Sequence, residues 1–205
     1  MGFGGLGILL RFQNESELIH DYGNPVLVMP GSSSAGREEA LRMLFKIDPE
    51  PKTILDVGPG RGQWYDLLKP WYPDAIFEAV EIFEPYVERY ALRSKYEFVF
   101  IDDVRTFAVD TVDDDFDLVI FGDVIEHMEK DDAIWCVERL LKRHALISIP
   151  IGECPQDPTE ENPYEAHLAT WETEEVLATF PVIDHYAYKF PPPHYGRGVF
   201  LLEKP

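Results

Sequence analysis

The segment Thr53-Ile-Leu-Asp-Val-Gly-Pro-Gly-Arg-Gly-Gln-Trp64 places glycines at 58, 60 and 62 directly after a short β-favouring run. A strand that turns through glycines into a helix makes a ligand site. Glycine tolerates φ > 0 and lets a ligand approach the backbone, and the free N–H groups of the following helix face whatever sits there. Asp56, just ahead of the turn, adds a carboxylate that repels a phosphate and suits a cationic or hydroxyl-bearing ligand. Glu81 ends a second β-favouring run about 20 residues on, where a carboxylate can accept hydrogen bonds from both hydroxyls of a ribose. Asp102-Asp103 close a third run, and Gly122-Asp123-Val-Ile-Glu126-His127 follow a fourth. An imidazole with an ordinary pKa of about 6.5 transfers protons at neutral pH. His127, just past a strand end, is therefore the first candidate for a general base, and His167 is the second. The alternative for Glu126-His127 is that the pair organises its loop by hydrogen bonds.

These residues need a scaffold, and the hydrophobic pattern supplies one. Ala40, Leu41, Leu44 and Phe45 fall at helical spacing within 37–47, ahead of the strand Thr53–Val57. After the glycine turn, a helix from Gln63 ends before Pro70. A strand over 75–82 follows, then a helix with Pro85 at its start and Tyr86–Arg93 as its body. Strands are predicted over 97–101, 116–121 and 145–151, with a helix over 131–143 between the last two. The stretch 152–163, with Pro155, Pro158 and Pro163, reads as a long functional loop. A helix over 173–180 and strands over 182–190 and 198–202 complete the chain, the last two forming an antiparallel excursion at the sheet edge. Strands alternating with helices imply an α/β domain: a doubly wound, seven-stranded, mostly parallel sheet with an antiparallel C-terminal hairpin. One domain is expected over 1–205, with 1–35 as a leader or cap and 36–205 as the core.

The motif Asp56-Val-Gly58-Pro59-Gly60-Arg-Gly62 resembles motif I of the class I S-adenosylmethionine-dependent methyltransferases, Asp/Glu-x-Gly-x-Gly-x-Gly, with every glycine present. The stretch Phe116–Met128 is similar to the fourth-strand motif of the same Rossmann-like family, including the Glu-His of its small-molecule members. The resemblance spans roughly residues 50–150 and implies a cofactor, S-adenosylmethionine. It implies that Glu81 lies at the ribose, that Asp103 (with Asp102 as the alternate), followed by Val104, lies at the adenine, that Gly122 and Asp123 lie beside the methionine half, and that Ile82 and Val104 also belong to the cofactor site. His167, in Tyr164-Glu-Ala-His-Leu-Ala-Thr-Trp171, resembles a histidine that faces the acceptor in some members, and the last strand is expected to insert beside the fifth. Dinucleotide enzymes share the strand-turn-helix, but their Gly-x-Gly-x-x-Gly spacing differs from the one here.

Eighteen Lys and Arg against 38 Asp and Glu give a formal net charge of −20. A nucleic-acid binder needs a basic footprint, so nucleic acid is not the expected partner. Cys136 and Cys154 lack metal spacing, no Asp/Glu/His run singles out a metal, and a reduced cytoplasmic protein without a bound metal is expected. The apolar N-terminus is glycine-rich, has no basic region ahead of it and meets Arg11 too early to span a bilayer, so neither signal peptide, anchor nor membrane partner is expected. Tyr164, Trp171, His194 and Tyr195 are candidate walls of an acceptor pocket. The resulting expectation is methyl transfer to oxygen or nitrogen of a small-molecule acceptor. The alternatives are a protein or peptide methyltransferase, a nonenzymatic cofactor-binding regulator and an NAD-dependent oxidoreductase. A homodimer is compatible with the sequence, which does not name the acceptor.

Overall fold

The computed structural model describes residues 36–111, 116–190 and 195–205. The predicted leader 1–35 lies outside them, as does His194. Seven strands form one sheet: β1 (Thr53–Val57), β2 (Ile76–Glu81), β3 (Phe98–Ile101), β4 (Leu118–Gly122), β5 (His144–Ile151), β6 (Val182–Tyr188) and β7 (Gly196–Glu203). Their order is β3-β2-β1-β4-β5-β7-β6. The first five run parallel, and β7 pairs antiparallel with both β5 and β6. The expected doubly wound sheet with a C-terminal hairpin is therefore present, and the last strand lies beside the fifth. No helix of the described residues is long and apolar enough to cross a membrane.

Each face of the sheet buries its own apolar cluster. On one face, α1 (Arg37–Leu44), α2 (Gln63–Leu68) and α3 (Glu84–Arg89) bring Met43, Leu44, Trp64, Leu68 and Val87 against Ile54, Phe77 and Ile120. On the other, α4 (Val104–Asp110), α5 (Lys130–Leu140) and α6 (Thr173–Thr179) bring Phe107, Cys136, Val137, Leu140 and Val176 against Leu55, Val57, Val119 and Ile147. Neighbours in sequence thus belong to opposite clusters, as period-two strands require. β5, covered on both faces, is buried at all eight positions, which is why it reads as a continuous apolar run.

The chain winds from β1 outward to β3 and returns to place β4 on the other side of β1. The crevice between the carboxyl ends of β1 and β4 is where open α/β sheets bind ligands. The return uses α4, a helix absent from the expected elements. Asp103 caps it by accepting the Arg105 N–H at 2.9 Å, and Val104, Phe107 and Ala108 form its buried face. Three buried positions in a seven-residue helix, with Val109 apolar but exposed, make too short a period to stand out in sequence.

Gly122 ends β4 under the indole of Trp64: a Cβ there would lie 1.9 Å from Nε1. Gly122→Ala must displace a buried tryptophan and is expected to lower stability by about 1–3 kcal/mol. Chemical denaturation of the variant, with Trp64 fluorescence as the local probe, checks this.

Candidate active site

A cavity of about 520 Å³ opens at the carboxyl ends of the parallel strands. The turn after β1 supplies Gly58, Pro59 and Gly60, with φ of 59° at Gly58 and 51° at Gly60, where non-glycine residues are strained. A Cβ built on Gly60 would meet nothing within 4 Å, so this part of the wall is open backbone. β2 and the turn after it supply Glu81 and Ile82, the end of β3 supplies Asp102, Asp103 and Val104, and the end of β4 supplies Gly122, Asp123, Glu126 and His127. His167 comes from the long loop after β5. Twelve of the fourteen predicted site residues therefore line one cavity: Gly58, Pro59, Gly60, Glu81, Ile82, Asp102, Asp103, Val104, Gly122, Asp123, His127 and His167.

Asp56 and Gly62 are not among the lining residues, and both placements have a physical reason. Strand alternation sends Asp56 to the face of Ile54, away from Leu55 and Val57, where it accepts the Tyr96 hydroxyl at 2.5 Å. Gly62, at φ 72°, precedes α2 and packs against the side chain of Lys95. Its glycine shapes the turn. Among the aromatic candidates, Tyr164 and Tyr195 line the cavity, whereas Trp171 is core, its Nε1 donating to the Ile125 carbonyl at 3.4 Å.

Asp103, expected at the adenine, is engaged elsewhere. The Arg105 guanidinium, through Nε at 3.0 and 3.1 Å and Nη2 at 2.5 Å, holds its carboxyl below the usual range. Asp102 makes only a local contact of this kind, Oδ1 accepting the Asp103 N–H at 2.7 Å. Both acids line the cavity, Asp103 with its carboxylate in an ion pair. Glu81 is 4% exposed and Oε1 accepts the Phe83 N–H at 2.8 Å. Burial pushes its pKa up to about 7, against the opposing pull of the Phe83 and Gly60 amides.

The other end of the cavity holds a feature that motif reading missed. Arg197 of β7, which pairs with Pro150, places a buried guanidinium across Asp123 in a two-pronged ion pair, with Nη2–Oδ2 at 2.7 Å. The sequence offers no local signal for it, because the contact needs β7 to insert next to β5. Glu126, 2% exposed, is pushed well above the carboxylate range by burial and then by neighbouring Asp123. The loop over 152–172 is tied down by its backbone: Leu168 and Ala169 N–H both donate to the Glu126 carbonyl, at 2.8 and 3.0 Å. Tyr86 also anchors it, donating to Glu165 at 2.9 Å. These bonds set His167 edge-to-face with His127, ring centres 4.8 Å apart. Burial, first, and then His127 lower the His167 pKa, while the Cys154 carbonyl opposes them. One ligand atom each of Glu126, His127 and His167 lies within 4.8 Å of the others, a cluster that spacing along the chain does not reveal and that bears on the expectation of no metal.

Residues 35–172 match the family described as methyltransferase domain. The chain belongs to this family, and its motifs are those of a class I methyltransferase. No curated protein sequence matches it. Its fold is similar to that of the N-terminal domain of EvdMO1 with S-adenosylhomocysteine bound, at TM-score 0.60 and 15% identity over 84% of this chain and 82% of that one. It is also similar to a SAM-dependent methyltransferase from Archaeoglobus fulgidus, at TM-score 0.56 and 15% identity over 82% and 94%. A third similar structure is the Burkholderia thailandensis 1,6-didemethyltoxoflavin-N1-methyltransferase with 1,6-didemethyltoxoflavin and S-adenosylhomocysteine bound, at TM-score 0.56 and 19% identity over 83% and 78%. At these identities the likeness is one of fold.

Two predictions follow from the buried charges. Asp56 has a folded pKa of about 7 against an ordinary 3.8, raised by burial against the Tyr96 hydrogen bond and with help from Glu81. Folding thus takes up a proton, and the associated stability is full below about pH 4 and lost as pH rises through about 7. Asp56→Asn keeps an acceptor for Tyr96 and removes this loss, so its stability relative to the native chain is expected to rise by on the order of 1–3 kcal/mol between about pH 5 and 8. Paired urea denaturations across that range measure it. Arg197→Met leaves the partly buried Asp123 without its counter-charge and is expected to cost about 2–3 kcal/mol, partly recovered in Asp123→Asn/Arg197→Met. A double-mutant cycle reads the coupling, and additive losses would dissolve the pair.

Proposed function

We propose that the chain uses S-adenosylmethionine to methylate oxygen or nitrogen of a small molecule in the cytoplasm. The observation that carries this reading is that one cavity is lined by open glycine backbone, by the buried acid Glu81, which has no cationic partner among the described residues, and by a polar, histidine-bearing far end. The donor set fits an adenosyl cofactor. Glu81 would accept the ribose hydroxyls and Asp102 the adenine amino group, Ile82 and Val104 would cover the adenine faces, and Gly58 and Gly60 would border the methionine half. When bound, the cofactor supplies a sulfonium methyl group positioned for in-line transfer. The chain's own residues orient the acceptor and shed water. His127 and His167 form the polar end where the acceptor's hydroxyl or amine sits, with Tyr164 and Tyr195 as flanking apolar surface.

Support comes from the family match, from the motifs that converge on the cavity, and from the solved structures of similar fold that hold S-adenosylhomocysteine. A cavity of about 520 Å³ suits a small acceptor beside the cofactor. Two free cysteines, one of them buried, accord with a reducing compartment.

Calorimetry with S-adenosylhomocysteine and NAD tests the reading, followed by an assay of S-adenosylhomocysteine release over a panel of phenols, sugars and amines. Binding of NAD alone would sink it, and cofactor binding without turnover on any acceptor would favour a regulator. Glu81→Gln is expected to weaken S-adenosylhomocysteine binding by about 1–3 kcal/mol. The native affinity should rise as pH climbs through about 7, because the ionised carboxylate accepts both hydroxyls, and the variant should lose this dependence. Calorimetry at about pH 6 and pH 8 reads both effects.

A further inference from the structure

We propose that Glu126, His127 and His167 form a binding site for a divalent first-row transition ion, whose open coordination positions face the cavity and take an oxygen-bearing acceptor. Three independent observations support it. The first is proximity: one ligand atom from each residue lies within 4.8 Å of the others. Metal–nitrogen and metal–oxygen bonds of about 2.0–2.2 Å bring ligands in one shell to roughly 3–4 Å of each other, so small side-chain rotations close the site.

The second is the orientation of the rings. His127 Nδ1 lies 3.0 Å from the Ala166 carbonyl, and His167 Nδ1 contacts the Cys154 carbonyl. A carbonyl oxygen only accepts, so each Nδ1 carries the hydrogen, and in the neutral ring each Nε2 keeps its lone pair. Two imidazoles fixed in this tautomer by backbone carbonyls are the arrangement by which proteins orient histidine ligands. It is also held in place, because the loop that carries His167 is pinned by the Leu168 and Ala169 bonds to the Glu126 carbonyl.

The third is Glu126. It is 2% exposed, lines the cavity, and its Oε2 has no hydrogen-bond partner among the described residues. Both guanidinium prongs of Arg197 are directed to Asp123, so the charge nearest to Glu126 is already engaged. An orphaned buried carboxyl oxygen in a cluster with two imidazoles is a donor set that suits a cation.

Two nitrogens and one carboxylate favour manganese, iron, cobalt or zinc over magnesium and calcium, which prefer oxygen shells. Three protein ligands leave positions for an acceptor's hydroxyl or adjacent oxygens, which narrows the acceptor toward oxygen donors. That narrowing rests on the methyltransferase reading, whereas the ion site itself does not.

The test is a titration of the tag-free, metal-stripped full chain with Co²⁺, followed by calorimetry and by the visible ligand-field spectrum, with S-adenosylhomocysteine binding measured in parallel. One Co²⁺ per chain is expected, with little competition from excess Mg²⁺. His167→Ala and Glu126→Gln should each weaken Co²⁺ at least about 10-fold while leaving S-adenosylhomocysteine affinity intact, which also shows that both variants fold. His185→Ala, on β6 at the sheet edge, should leave Co²⁺ binding unchanged. Absence of stoichiometric binding, or Co²⁺ affinity that His167→Ala and Glu126→Gln leave unaltered, would overturn the site. Failure of S-adenosylhomocysteine to bind a chain that still takes one Co²⁺ would instead sink the cofactor reading alone.

Discussion

The geometry of the histidine-bearing end of the cavity depends on the ion pair between Asp123 and Arg197. Asp123 follows β4, early in the second half of the sheet, and Arg197 belongs to the last strand, which inserts antiparallel beside β5 with Arg197 opposite Pro150. The pair clamps the C-terminal strand to the end of β4. A buried charge pair of this kind adds little net stability over an apolar contact, but losing one member leaves the other exposed to the full desolvation cost. Its contribution is therefore positional. It neutralises one of two neighbouring acids and leaves Glu126, the other, beside the histidines.

The loop after β5 is long and still delivers a side chain with precision, because other bonds at the same end of the sheet hold it. The stretch over 152–172 has one short helical turn, Pro163–Glu165, yet it is fastened at both ends of the site. Its backbone donates twice to the Glu126 carbonyl, the Gly152 N–H donates to the Trp171 carbonyl at 2.9 Å, and Glu165 accepts from Tyr86 and from Asn162 at 3.0 Å. Hydrogen bonds to backbone atoms at the strand end substitute for regular structure. His167 can thus meet His127 although no helix or strand carries it.

What was legible in the sequence follows from the range of the interactions involved. The turn at 58–62, the acid at 81 and the acids at 102–103 each end a parallel strand, and a parallel sheet brings all such ends to one edge. Reading the strands was therefore enough to gather them. Asp56 shows the limit of that reasoning. Membership in the motif said nothing of its face, and strand alternation turns it toward Tyr96 and away from the cavity. Asp103 shows another: α4 went unrecognised, and with it the capping and ion-pair roles that engage this carboxylate. Arg197 and the Glu126-His127-His167 cluster were out of reach for a third reason. Both depend on contacts between segments far apart in the chain, made through an antiparallel insertion and an irregular loop, neither of which has a local pattern.

The distribution of buried charge bears on how the protein is divided between stability and function. Asp56, Glu81 and Glu126 are all buried, and Arg197 is the one buried Lys or Arg among the described residues. Burying an acid without a partner costs free energy unless it is protonated or finds donors. Asp56 finds the Tyr96 hydroxyl and Glu81 finds backbone amides, but each retains a pKa pushed up to about 7. Of the two, Glu81 faces the cavity and Asp56 does not, so ligand hydroxyls can relieve the first and only the protein itself can relieve the second. Asp56 is then best understood as support behind the turn: on the face of β1 away from the cavity, it ties the last residues of that strand to Tyr96, which precedes the amino end of β3. A residue that looks like a ligand contact from its place in the motif lies one layer behind the cavity wall, and the charge it buries there is answered by a tyrosine hydroxyl of the protein itself.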